Sequence, residues 1–155
     1  KGKKMSTIKS FRGKLADAAQ DTIILHTNNG STGYRIKKFQ ILPVDANTPH
    51  EGTVQIFKVK QTAIPGEIDM QNNTLLAAAT IQQSISTQGG FIDTVIFDNE
   101  VFNQDIYIVH DEKSAGAGSA INYYFELEQI SLALDENTVA TLKDIRNIAG
   151  RNDSA

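Results

Sequence analysis

The side chains best suited to chemistry crowd one stretch of this 155-residue chain. Asp98, Asn99, Glu100, Asn103, Gln104 and Asp105, with Asp111 beyond them, offer the oxygen atoms that a calcium ion collects in sets of about 6 to 8. Their spacing matches neither an EF-hand nor a repeat-type calcium loop, and turn residues that hydrogen-bond their own backbone account for the same letters. His26, His50 and His110 are the other candidate ligands, but no two share a metal-ligand spacing. His50 falls in a polar, turn-rich stretch, and His26 and His110 fall at strand ends, where a half-exposed imidazole is ordinary. The run Gly116-Ala117-Gly118-Ser119-Ala120 lacks the lysine of a phosphate-binding loop, and Ser119 lacks the frame of a nucleophile elbow. No carboxylate pair or activated nucleophile is organised by spacing. The sequence therefore assigns no catalytic, cofactor-binding or metal-binding residue, and an enzyme ranks last among the readings.

The elements that would carry these residues read as strands. In INYYFELEQISLAL, Ile121, Tyr123, Phe125 and Leu127 alternate with Asn122, Tyr124, Glu126 and Glu128, the period of a half-buried strand. Beyond Glu128 the apolar series moves to Ile130, Leu132 and Leu134, which predicts a β-bulge near Glu128 and Gln129. VIFDNEVFNQDIYIVH (Val95 to His110) reads as one long strand before it. Thr7 to Ala16 and Thr22 to Thr27 are shorter strands, and Tyr34 to Val44 changes parity across Lys37-Lys38, a second expected bulge. Thr53 to Gln61 carries Val54, Ile56, Phe57 and Val59 toward both faces, as burial on both sides requires. Asp45 to Gly52 reads as an exposed loop, and Pro65-Gly66 as a type II turn. Thr74 to Gln82 has a helix-favouring Leu-Leu-Ala-Ala-Ala core, yet its short length and its surroundings favour a strand. After Leu134, the spacing of Val139, Leu142, Ile145 and Ala149 predicts a short helix over residues 135–149, started by Asp135 or Asn137 and stopped at Gly150. The expected fold is all-β: a single β-sandwich of about eight antiparallel strands over residues 7–134, jelly-roll-like, with a C-terminal helix.

Length and composition fit this. A chain of this size buries roughly two-thirds of its unfolded surface in one domain. It has no cysteine, so neither a disulfide framework nor a thiolate metal site is available. No run approaches the roughly 18 apolar residues of a membrane span, and no membrane contact is expected. The net charge is only −3, but it is unevenly spread. Lys1, Lys3, Lys4, Lys9, Arg12 and Lys14 put six positive charges in the first fourteen residues with no acid among them. Residues 1–14 read as a basic arm, either solvated or laid on nucleic acid or an acidic neighbour. Met5-Ser6 reads as a natural start preceded by four further residues.

FRGKLADAAQDTI (Phe11 to Ile23), NNGSTGYRIKKFQI (Asn28 to Ile41), IFDNEVFNQDIYIVH (Ile96 to His110) and NYYFELEQISLALDENTVATLKDIRN (Asn122 to Asn147) together resemble a group of small structural proteins of marine bacterial viruses. The resemblance spans most of the chain except Asp45 to Gly90. It implies a virion component with a jelly-roll-like fold, displayed in many copies, and it carries no catalytic residue across.

Residues and resemblance lead to one expectation: a capsid or capsid-decoration subunit, located in the virion, whose partners are copies of itself and other virion proteins. The expected contact residues are Lys3, Lys4, Lys9, Arg12 and Lys14, the outward Tyr124, and Leu142 and Ile145 of the helix. The rival reading is a carbohydrate- or receptor-binding head of a fibre or spike, with Tyr124 and the loops Asp45 to Gly52 and Ser84 to Gly90 forming its site.

Overall fold

The structure, a computed structural model, describes residues 7–25, 30–83, 90–114 and 120–132. Every regular element among them is a strand: β1 (Thr7–Leu15), β2 (Gln20–Ile23), β3 (Thr32–Pro43), β4 (His50–Phe57), β5 (Leu75–Gln83), β6 (Gly90–Ile96), β7 (Ile106–Glu112) and β8 (Ile121–Ser131). They form two antiparallel sheets, one ordered β1-β8-β3 and the other β2-β7-β4-β5-β6. The predicted helix over 135–149 lies outside the described residues.

Alternation sets which side chains meet between the sheets. Phe11 and Leu15 of β1, Ile36, Phe39 and Ile41 of β3, and Tyr123, Phe125 and Leu127 of β8 point inward from the smaller sheet. Val54, Ile56, Ala77, Ala79, Ile81, Ile106 and Ile108 meet them from the larger one, forming a single core cluster. Removal of these side chains from water is the main force holding the sheets together. Phe11 stacks on Phe125 at 5.2 Å between ring centroids, so β1 and β8 are joined by side chains as well as by their ladder. Thr74 to Gln82 resolves as a strand, since β5 lies between β4 and β6 with Ala77 and Ala79 nearly solvent-free.

The bulge across Lys37 is present: Ile36 pairs with Leu127 and Lys38 with Glu126, so β3 holds one extra residue. The bulge expected near Glu128 and Gln129 is not. β8 keeps register with both neighbours from Ile121 through Gln129 apart from that extra residue on β3. Ile130 and Leu132 instead stay on the outer side, where Gly33 makes room. A Cβ at Gly33 would stand 2.8 Å from Leu132 Cδ1 and 2.9 Å from Val101 Cγ1, so these side chains cover a bare backbone. The predicted long strand over Val95 to His110 is also two strands, because β6 ends at Ile96 and β7 starts at Ile106. The connection carries Phe102, which bridges to Tyr34 of β3 through backbone hydrogen bonds of 2.8 and 2.9 Å.

β4 begins at His50 and stops at Phe57, so it takes in the end of the expected Asp45 to Gly52 loop and omits Lys58 to Gln61. Its two-sided burial is real. Phe57, with Leu75, Ala78 and Val109, faces away from the main core and forms a second, smaller one. The Lys58 to Thr74 connection folds over it, bringing Ile64 and Ile68, while Phe97 closes the far side. The cover is pinned to β2 by paired amide bonds: Gln61 N donates to Gln20 Oε1 at 2.9 Å, and Gln20 Nε2 donates to Gln61 O at 3.0 Å. Gly66 does not take the left-handed φ of a type II turn; a Cβ there would approach Lys113 Nζ to 3.1 Å.

Candidate functional site

Register places the expected contact residues. Arg12 of β1 and Gln40 of β3 lie opposite Tyr124 of β8, Ser10 and Lys38 opposite Glu126, Ile8 and Arg35 opposite Glu128, and Lys14 and Leu42 opposite Asn122. Their parity is opposite to that of the core residues, so these rows form the outer face of the three-stranded sheet. It bears four cations, Arg12, Lys14, Arg35 and Lys38, against two carboxylates, Glu126 and Glu128. Arg35 binds Glu128 through Nε at 2.8 Å. Tyr124 donates its hydroxyl to Glu126 at 2.5 Å, and Lys38 Nζ stands 5.9 Å from its ring centroid. The hydrogen bond to Glu126 pushes the Tyr124 phenol above its ordinary value. Glu126 is thus engaged by Tyr124 and Glu128 by Arg35, while Arg12 and Lys14 project into solvent.

One of the expected contacts separates from this face. Lys9 has core-side parity and lies at the rim, its ammonium 3.3 Å from the Tyr34 hydroxyl and 5.4 Å from that ring's centroid. Lys9, Arg12 and Lys14 all belong to β1, whereas Lys3, Lys4, Leu142 and Ile145 lie outside the described residues.

The outer face of the larger sheet has the opposite charge. Asp93, Thr80, Thr53 and Asp111 follow one another across β6, β5, β4 and β7, with Glu51 and Gln82 in the next row. Glu51, Thr53, Thr80, Asp111 and Lys113 line a shallow cleft of about 240 Å³ there. At its β6 border Phe91 and Val95 share the same outer parity and are 54% and 38% exposed, and Ile92 is 44% exposed. Aromatic and aliphatic groups this open on an edge strand are a ready contact surface.

The histidines correct the sequence reading most. His50 is not in an exposed loop and His110 is not half-exposed; both are fully buried, on β4 and β7, and His26 lies outside the described residues. His50 Nδ1 lies 2.7 Å from Glu112 Oε2, and His110 Nε2 lies 3.4 Å from the same oxygen. His110 Nδ1 faces the carbonyl oxygens of Leu15 and Ala16, each at 3.2 Å. Both nitrogens of His110 thus face oxygen acceptors. Glu112 Oε1 accepts from the backbone N–H of Glu51 at 2.5 Å and of Ser114 at 3.4 Å, and Glu112 N–H donates to Asp17 at 3.0 Å. Burial pushes the Glu112 carboxyl up, but the hydrogen bonds from His50, Glu51 and Ser114, with the charge of His50, hold it below the usual carboxylate value. Gly52 pairs with Glu112, and no side chain fits at that position, because a Cβ would collide with the Asp111 carbonyl oxygen. The arrangement ties the β1–β2 turn, β4 and β7 into one knot with no solvent access to its imidazoles.

Among the described residues no group of three or more His, Asp or Glu side chains is disposed to hold a metal ion. The oxygen cluster expected from the sequence disperses: Asp105 accepts from the Leu25 N–H at 3.0 Å, Glu100 pairs with Lys58 at 2.8 Å, and Asp111 joins the outer face. One overlooked signal did point to the buried knot. In IYIVHDE, the parity of Ile106 and Ile108 continues to His110 and Glu112, which puts both polar groups on the core side.

No protein-family model matches this chain, and no curated protein is significantly similar to it in sequence.

Proposed function

We propose that the chain is a virion structural protein, a jelly-roll capsid or capsid-decoration subunit that works by contact with copies of itself and with other virion proteins. The observation carrying this reading is the exposure of Phe91, Ile92 and Val95 on β6, whose partner is β5 alone among the described strands. Soluble domains usually shield such an edge with charge, proline or a covering segment, and an assembly subunit covers it with a neighbour. The strand pairing supports the architecture. β1 pairs with β8, β2 with β7 and β4 with β5, and the Tyr34–Phe102 bridge joins β3 to the segment after β6. That is the pattern of one long hairpin, bent at β4–β5 and rolled up, which is how a jelly roll is wound. The resemblance of the sequence to small structural proteins of marine bacterial viruses points the same way. Antibodies against the purified chain should decorate intact particles carrying its gene in immunogold electron microscopy. Labelling confined to lysed host cells, with bare particles, would overturn the assignment.

A further inference from the structure

The two outer sheet faces have opposite charge and each carries exposed apolar groups, and this pairing is more informative than either face alone. On the three-stranded face Arg12, Lys14 and Lys38 project beside Ile8 and Leu42, which are 49% and 63% exposed. On the half of the five-stranded face left open among the described residues, Glu51 and Asp93 are exposed, and Asp93 stands between Phe91 and Val95 along β6. Lys113 is the cation lining the cleft on that side. We infer that the basic β1-β8-β3 face of one copy docks on the acidic β7-β4-β5-β6 face of the next, head to tail. This rests on the assembly reading above and names the partner surface for it.

The chemistry selects this occupant. A basic face alone fits any polyanion, but Ile8 and Leu42 would be stranded against phosphates, whereas Phe91 and Val95 of a second copy give them apolar partners. The two-fold alternative, in which the basic face meets itself, sets Arg12, Lys14 and Lys38 against their own copies and is opposed by like-charge repulsion. A contact between two different faces is heterologous, so it propagates into a closed ring or an open row instead of stopping at a dimer. Opposite charges on the two faces also steer each incoming copy into the correct orientation before contact.

Charge reversal and complementation test the inference. One variant carries Arg12→Glu, Lys14→Glu and Lys38→Glu; the other carries Glu51→Lys and Asp93→Lys. All five positions are exposed, and thermal melts by circular dichroism verify that both variants fold. In sedimentation velocity each variant alone should associate at least about tenfold more weakly than the original chain. An equimolar mixture should recover association, because each reversed face then meets its complement. If the original chain associates and reversal leaves association unchanged, or if the mixture of folded variants fails to recover it, the head-to-tail contact is wrong while the assembly reading stands. If the original chain does not associate at any concentration, both fall together.

Discussion

Among the described residues, the outer face of the five-stranded sheet divides into a covered half and a bare half. Around Phe57, Leu75, Ala78 and Val109 the chain supplies its own lid, the Lys58 to Thr74 connection, and a second core forms beneath it. Gly66 of that connection reaches the cleft at Thr53 and Asp111, but around Glu51 and Asp93 no such lid is present among the described residues, and Phe91 and Val95 border that part. The difference teaches where energy is spent. The covered half contributes to folding by burying apolar area, whereas the bare half leaves its apolar groups available for association.

Mutations should separate the two halves. Phe57→Ala removes the centre of the second core and should cost about 3–5 kcal/mol in denaturant unfolding, with faster hydrogen exchange through the Lys58 to Thr74 cover. Beneath the bare half, Glu112→Ala leaves His50 and His110 facing no carboxylate and should also cost about 3–5 kcal/mol. The knot has a signed pH dependence as well. The carboxyl of Glu112 is held below its unfolded value of 4.5, so its stabilisation is fully present above that pH and is lost as pH falls through the lower folded value. Urea titrations from pH 7 down into the acid range should therefore show a steeper loss of stability in the original chain than in Glu112→Gln. Parallel curves would remove Glu112 as the source.

Smaller effects belong to the surfaces. Phe91→Lys on the bare half should change unfolding free energy by no more than about 0.5 kcal/mol while weakening self-association, the reverse of the pattern at Phe57. At the β1–β2 turn, Ala18 holds a φ of 59°, a left-handed conformation that favours glycine. Its N–H donates to the His110 carbonyl oxygen at 2.9 Å, which fixes the turn on the buried knot. Ala18→Gly should stabilise the fold by about 0.5–1 kcal/mol in the same unfolding assay.

Much of the fold was legible from local rhythm. The alternation of β8, the extra residue at Lys37 and the two-sided burial of β4 all follow from side-chain parity, which a strand imposes on its own sequence. Parity misled where a partner strand changed the rule, as at Leu132, which packs over Gly33 of β3 alongside Val101 beyond β6. The outward position of Tyr124 was read correctly, but the charge rows around it needed the register with β1 and β3. His50 and Glu112 are 62 residues apart, and only the pairing of β4 with β7 brings them to 2.7 Å. No local pattern around His50 encodes that, because a buried polar contact between distant strands is a property of topology.

Sedimentation velocity of the full chain over a wide concentration range, at low and high salt, tests the central claim most directly. Self-association through the bare faces predicts a mean mass that rises with concentration at low salt, falls as salt is raised, and drops toward the monomer in Phe91→Lys. A monomer at every concentration and salt, with Phe91→Lys indistinguishable from the original chain, would contradict it.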